Sequence, residues 1–127
     1  METHDLHAAL RTLDALRIGE ATTEAEAAAS MRMLTSCNRC AIGLVRFSGQ
    51  TPWERHLDDE FLHVLEGEVE LTLLPASGAP LHSTLRAGSV CVVPKGLWHR
   101  QHAAATTALM FATSEEGNEA SDAEDPR

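Results

Sequence analysis

Leu6, Leu10, Leu13 and Leu16 recur at spacings of four, three and three. That is the period of one apolar helix face, and it predicts an amphipathic helix over residues 3–17. Asp5 in its first turn and Arg17 in its last suit the helix dipole, and Gly19 follows as a stop. Residues 20–29 are rich in Ala, Glu and Thr, a composition that either extends the helix or forms a polar connector. From Met31 the runs shorten. Met31–Thr35 and Ala41–Phe47 read as two strands joined by a turn at Cys37-Asn38-Arg39-Cys40. Further strands are expected at Glu60–Leu65, Glu68–Leu74, Leu81–Arg86, Ser89–Val93, Trp98–Ala103 and Thr107–Thr113. They are punctuated by Gly67, the Pro75–Pro80 loop, Ala87-Gly88 and Pro94-Lys95-Gly96. Short strands with regular turn signals predict an antiparallel sandwich or barrel. After Ser114 the chain turns acidic and lacks an apolar anchor, which predicts a disordered tail. The expected organisation is a helix and connector over 1–30, a barrel over 31–113 and the tail over 114–127.

With 127 residues the chain suffices for one core, not two ordinary domains. The formal charge is −9. Residues 115–127 hold six acids and one base, a net of −5, so the remaining −4 lies on residues 1–114. Nucleic acid and anionic membranes would repel this excess, which argues against both as main partners. The first residues lack a positive, apolar leader, and no apolar run is long enough to span a bilayer, so a cytoplasmic protein is expected. Three cysteines do not make a disulfide framework.

The chemistry concentrates in two segments. In Trp53–Gly67, strand alternation places Glu54, His56 and Glu60 on one face, offering an imidazole and two carboxylates to a divalent metal. In Gly88–His99 a strand runs into a Pro94-Lys95-Gly96 turn, and His99 opens the next strand. Together the segments resemble the two motifs of the cupin superfamily. His56, Glu60 and Gly67 match the first motif, and Gly88, Pro94, Gly96 and His99 match the second. Two positions depart from it: Glu54 stands where the first motif has a histidine, and Ala103 where the second ends in asparagine.

The resemblance covers roughly residues 31–113. It implies an all-β fold, an antiparallel jelly-roll barrel or double-stranded β-helix with the N-terminal helix packed outside. It also implies a homodimer and a divalent metal (Fe, Mn, Ni or Zn) held by Glu54, His56, Glu60 and His99. If Glu54 binds, two carboxylates cancel the charge of the ion, which weakens it as a Lewis acid and favours Mn²⁺ or Fe²⁺ over Cu²⁺. If Glu54 points outward, three ligands remain, similar to a two-His-one-carboxylate site for O₂ chemistry. The third alternative is a solvated Glu54 beside Arg55 and a site that no longer holds metal.

Around this set, Gln101 shares the parity of His99 and is a candidate hydrogen-bond donor to a small-molecule ligand. Trp53 and Trp98 either pack the barrel rim or wall that ligand. His63 and His102 fall on the opposite face, and His4, His7 and His82 belong to no constellation. Phe47, Phe61 and Phe111 are expected in the core, and Cys91 as a small hydrophobe in a buried strand. Cys37 and Cys40 flank a turn without the second pair of a zinc site. Asp58, Asp59 and Glu66 are expected to face solvent. Two functional classes follow: a metal-dependent enzyme on a small organic molecule, of oxygenase or isomerase type, and a non-catalytic binding or sensor module with a decayed metal site.

Overall fold

A computed structural model describes all of residues 1–127. The strands are organised around β9 (Trp98–Ser114), which is bordered by a different partner along each half of each edge. On one edge it pairs antiparallel with β3 (Cys40–Gln50) and, at Glu54↔His99, with β4 (Trp53–Arg55). On the other edge β6 (Glu68–Leu74) borders its first half and β5 (Glu60–Glu66) its second. β2 (Met31–Cys37) completes a hairpin with β3. Asn38 takes the left-handed conformation in that turn (φ 55°), which Asn tolerates better than most residues. β7 (Leu81–Arg86) pairs with β6, and β8 (Val90–Val93) with β5. The result is an antiparallel β-barrel of the jelly-roll type.

Trp98–Ala103 and Thr107–Thr113, expected as separate strands, are one. The register against β3 jumps from Phe47↔Thr107 to Gly49↔Ala103, so extra residues of β9 bulge outward at Ala104–Thr106. Gly67 sits against this bulge at φ 78°, where a β-carbon would lie 2.9 Å from the Thr106 carbonyl oxygen. The strand bends where its neighbour changes from β6 to β5, and only glycine fits the corner.

The barrel core contains Phe47, Leu62, Val64, Val69, Leu71, Leu85, Val93, Ala103, Leu109 and Phe111. Phe61, expected there, is half-buried because β5 alternates and Glu60, Leu62 and Val64 take the inner positions. β8 is likewise not buried on both faces: Val90 and Val92 point outward, whereas Cys91 packs against the core.

The N-terminal segment departs from the single helix expected over 3–17. Helix α1 covers only Leu6–Leu10, with the Asp5 carboxylate accepting from the Ala8 amide at 3.0 Å. β1 (Leu16–Arg17) then pairs parallel with β3 at Phe47–Ser48. Leu10 and Leu13 still use the periodic face, packing on Leu44 and Ala108. Leu16 instead reaches the barrel core, because an extended backbone here satisfies the edge of β3 that a helix would leave unpaired. Residues 20–29 contain a separate helix, α2 (Glu24–Ala29), capped by the Thr23 hydroxyl.

The acidic tail also departs from expectation. β10 (Glu119–Ser121) adds antiparallel to β4, and the Arg127 guanidinium donates to the carbonyls of Pro75 (3.1 Å) and Gly78 (2.8 Å). Main-chain hydrogen bonds and ion pairs hold it, and neither requires apolar residues. No helix is long and apolar enough to cross a membrane.

Candidate metal centre

One loop and the strand that follows it carry the first half of the site. His56 follows β4, and Glu60 opens β5. The Gly96 amide donates to the His56 carbonyl at 2.9 Å, and the Lys95 amide to the Asp59 carboxylate at 2.9 Å. The Pro94–Gly96 turn therefore braces the His56–Glu60 loop from behind. The next residues return as β9 and bring His99 beside Glu54.

Glu54, His56 and His99 each place one ligand atom within 4.8 Å of the others. Glu54 thus points inward rather than standing solvated beside Arg55. Glu60 lies against both imidazoles, with Oε1 3.1 Å from His99 Nε2 and Oε2 3.2 Å from His56 Nε2. The Thr113 hydroxyl donates to the second oxygen. His56, Glu60 and His99 are all buried, His99 at 1% exposure.

The outer ring nitrogens fix what the inner ones offer. His56 Nδ1 lies 2.7 Å from Asn118 Oδ1, and His99 Nδ1 lies 3.3 Å from the Leu97 carbonyl oxygen. Both oxygens only accept, so both Nδ1 atoms carry the proton. Each Nε2 is then left with a lone pair or a second proton. His56 Nε2 is buried and, although near Glu60, is out of line for a hydrogen bond with any group. An orphaned imidazole nitrogen facing carboxylates fits a divalent cation, which would accept the lone pairs and neutralise the anions.

The charges bear the same imprint. Burial pushes the Glu60 carboxyl up, but the His56 and His99 imidazoles and the Thr113 hydroxyl outweigh it and hold it at about 2. Burial raises the Glu54 carboxyl, and the negative charge of Glu60 adds to the effect. Burial disfavours protonation of His56, yet Glu60, Asn118 and Glu54 together raise its pKa above the ordinary value. The pocket therefore attracts positive charge, from a proton or a metal.

A cavity of about 1200 Å³ opens beside these groups, with Glu54, His56, Glu60, Gln101 and Trp53 on its wall. Trp98 does not line it. It has the opposite parity to His99 and packs with Trp53 and Leu74, with the Arg55 guanidinium 4.7 Å above its ring. His63 and His102 fall on the outward face as expected. His4 pairs with Glu2 and His82 bonds Thr72, away from the site. Cys37 and Cys40 face each other across the hairpin as free thiols. Asp58 and Asp59 brace the site loop rather than simply facing solvent: Asp58 holds Arg39 and Ser114, and Asp59 holds the Lys95 amide. Thr113 and Asn118 also belong to the site, through Glu60 and His56. Thr113 lies two positions after Phe111 on β9 and shares its inner parity, a signal that strand alternation carries, whereas Asn118 lies in a segment without periodicity.

Comparison with known proteins agrees with this architecture. A family model described as the cupin domain matches residues 44–114, more than half the chain, and the chain belongs to the cupin superfamily. It is 30% identical to a cupin-2 domain containing protein from Shewanella frigidimarina, with a TM-score of 0.55 over 68% of this chain and 80% of that one. A protein from Neisseria meningitidis shares the fold at a TM-score of 0.63 and 24% identity, over 90% of this chain and 100% of its own. A hydroquinone 1,2-dioxygenase, solved with Cd²⁺ and 4-hydroxybenzonitrile, matches at 25% identity and a TM-score of 0.55 over 64% of this chain. The chain spans 61% of the length of that dioxygenase chain. Curated proteins give no match.

Proposed function

We propose that the protein is a metal-dependent enzyme of the oxygenase type, acting on a small organic molecule in the cavity beside Glu54. Its ligands are Glu54, His56, Glu60 and His99. The observation that carries this reading is the pair of buried imidazoles whose Nδ1 atoms are tied to acceptors, leaving both Nε2 atoms beside Glu60. Structural similarity to a dioxygenase solved with a divalent metal supports the reaction class.

Two carboxylates among four protein ligands suit Fe²⁺ or Mn²⁺ better than softer ions. When bound, such a metal supplies a Lewis-acidic, redox-capable centre with positions open to substrate or O₂. The chain supplies the rest. Gln101 offers an amide to a polar group of the substrate, and Leu62, Leu109 and Phe111 form apolar wall. Glu20, Glu24, Glu115 and Asp122 also line the cavity, with Arg100 as its single Lys or Arg. That balance selects an uncharged or cationic substrate over a carboxylate.

Metal analysis after incubation with Fe²⁺, Mn²⁺, Ni²⁺ or Zn²⁺ and desalting tests the reading. About one equivalent per chain is expected in the wild type, with loss in His56→Ala and His99→Ala. A wild type that retains none of the four metals would overturn it.

A further inference from the structure

We infer that the acidic C-terminal segment is a strap coupled to the metal centre, with Asn118 as a positioning residue that fixes the tautomer of His56. The inference rests on the metal-centre reading above and adds a residue and a segment to it.

The carboxamide of Asn118 is oriented from both ends. Its Nδ2 donates to the Ser114 carbonyl at 2.8 Å, so its oxygen must be the atom 2.7 Å from His56 Nδ1. This orientation places the His56 proton on Nδ1 and aims Nε2 inward. Without Asn118, the buried Nδ1 would lose its acceptor, and the ring would be free to carry its proton on Nε2, where Glu60 lies 3.2 Å away. That tautomer cannot ligate through Nε2.

The flanking chain is built to present Asn118. Gly117 turns at φ 71°, with the Leu57 side chain in the space a β-carbon would take. β10 then adds to β4, pairing Ala120 with Glu54, and Glu119 grips the Arg55 guanidinium at 2.6 Å. Ser121 and Asp122 continue along the cavity wall. The three residues that β10 pairs with, Trp53, Glu54 and Arg55, and the one Asn118 bonds, His56, are consecutive. One short segment thus holds the outer side of the first two ligands.

The strap itself is weakly anchored. Glu119 and Ala120 are exposed, Ser121 is only half-buried, and no large apolar side chain secures β10. Segments with little apolar burial open locally at low free energy. Thermodynamic linkage then runs in both directions. A docked strap selects the ligating form of His56, and a metal on Nε2 favours the docked strap.

The test combines three readouts on Asn118→Ala and Glu119→Lys. The second variant opposes Arg55 and unlatches the strap without substituting any ligand or Asn118 itself. Manganese affinity is measured by chelator competition, the His56 tautomer by imidazole ¹⁵N shifts, and β10 docking by hydrogen exchange at Glu119–Ser121 with and without Mn²⁺. Loss of a partner that orients a ligating histidine typically weakens metal binding roughly 10- to 100-fold. Such weakening is expected in Asn118→Ala, together with Nε2-protonated His56, and a smaller weakening in Glu119→Lys. In the wild type, Mn²⁺ should slow exchange across β10. Wild-type affinity and tautomer in both variants, with Mn²⁺ bound normally, would overturn the strap and leave the metal centre standing. Failure of the wild type itself to bind Mn²⁺ or any of Fe²⁺, Ni²⁺ and Zn²⁺ would overturn both.

Discussion

Asp59 and Lys95 join the two motif segments: the Asp59 carboxylate accepts the Lys95 amide at 2.9 Å. The adjacent Gly96 amide donates to the His56 carbonyl. These two bonds set the distance between the His56–Glu60 loop and the strand that bears His99. Asp59→Ala removes one of them at an exposed position, so the cost to stability is about 1 kcal/mol, within the range for a single hydrogen bond. The effect on the site should be proportionally larger, because the loop loses its brace. Urea unfolding paired with metal titration checks both; unchanged metal affinity would show that Gly96 alone suffices.

Removing an imidazole affects more than metal retention. Glu60 is 4% exposed, and its charge is compensated by His56, His99 and the Thr113 hydroxyl. His99→Ala leaves that buried carboxylate short of a partner, an imbalance that typically costs about 3 kcal/mol or more. Metal-free His99→Ala should therefore unfold at markedly lower urea than the metal-free wild type. Adding Glu60→Gln should recover part of the loss. If the single variant is as stable as the wild type, Glu60 has reached solvent or taken up a proton.

The two carboxylates predict opposite pH behaviour in the metal-free protein. Glu60 is held at about 2, below its ordinary 4.5. Its contribution is fully present above the unfolded value and is lost as pH falls from 4.5 towards 2. Glu60→Gln should flatten acid unfolding across that window. Glu54 is raised by burial and by the charge of Glu60. Its contribution is favourable below 4.5 and is lost as pH rises through the raised value, so Glu54 leaves the metal-free protein less stable at neutral pH than in acid. Glu54→Gln should accordingly raise the metal-free Tm at pH 7 while lowering metal affinity. Thermal scans with and without Mn²⁺ distinguish this trade from a purely structural role, in which the two effects would have the same sign.

Much of this organisation is legible in the residues because the fold needs particular types at particular spacings. Gly67, Gly88, Pro94 and Gly96 mark corners that other residues fit poorly, and strand parity places Glu60 and His99 inward and His63 and His102 outward. The tail was not legible, because β10 is held by main-chain pairing with β4 and by polar side-chain bonds such as Glu119–Arg55, neither of which leaves an apolar pattern in the sequence. The N-terminal helix was over-extended for a related reason. Leucine spacing records which side chains are buried, and Leu10 and Leu13 are, but the unpaired edge of β3 decides the backbone at Leu16. Asn118 and Thr113 act on residues more than fifty positions away, so only the folded chain reveals what they touch.

Gly67 offers the sharpest test of how the barrel positions this site. Its φ of 78° is unfavourable for any side chain, and a β-carbon there would lie 2.9 Å from the Thr106 carbonyl and 3.2 Å from Thr107 Cα. Both neighbours are backbone, and the Thr107 hydroxyl is already committed to the Glu66 carbonyl at 2.7 Å. The clash therefore cannot be relieved by turning a side chain; the bulge of β9 must move. Gly67→Ala should cost about 2 kcal/mol or more from the backbone conformation and the displacement together. Glu60 and His99 lie at the far ends of the two strands that meet at this corner, β5 and β9. A shift transmitted along them would separate the ligands and weaken metal binding beyond what lower stability explains. Urea unfolding and Mn²⁺ competition on the folded fraction separate the two effects, and a variant with lower stability but wild-type affinity would show that the strain is absorbed within the bulge.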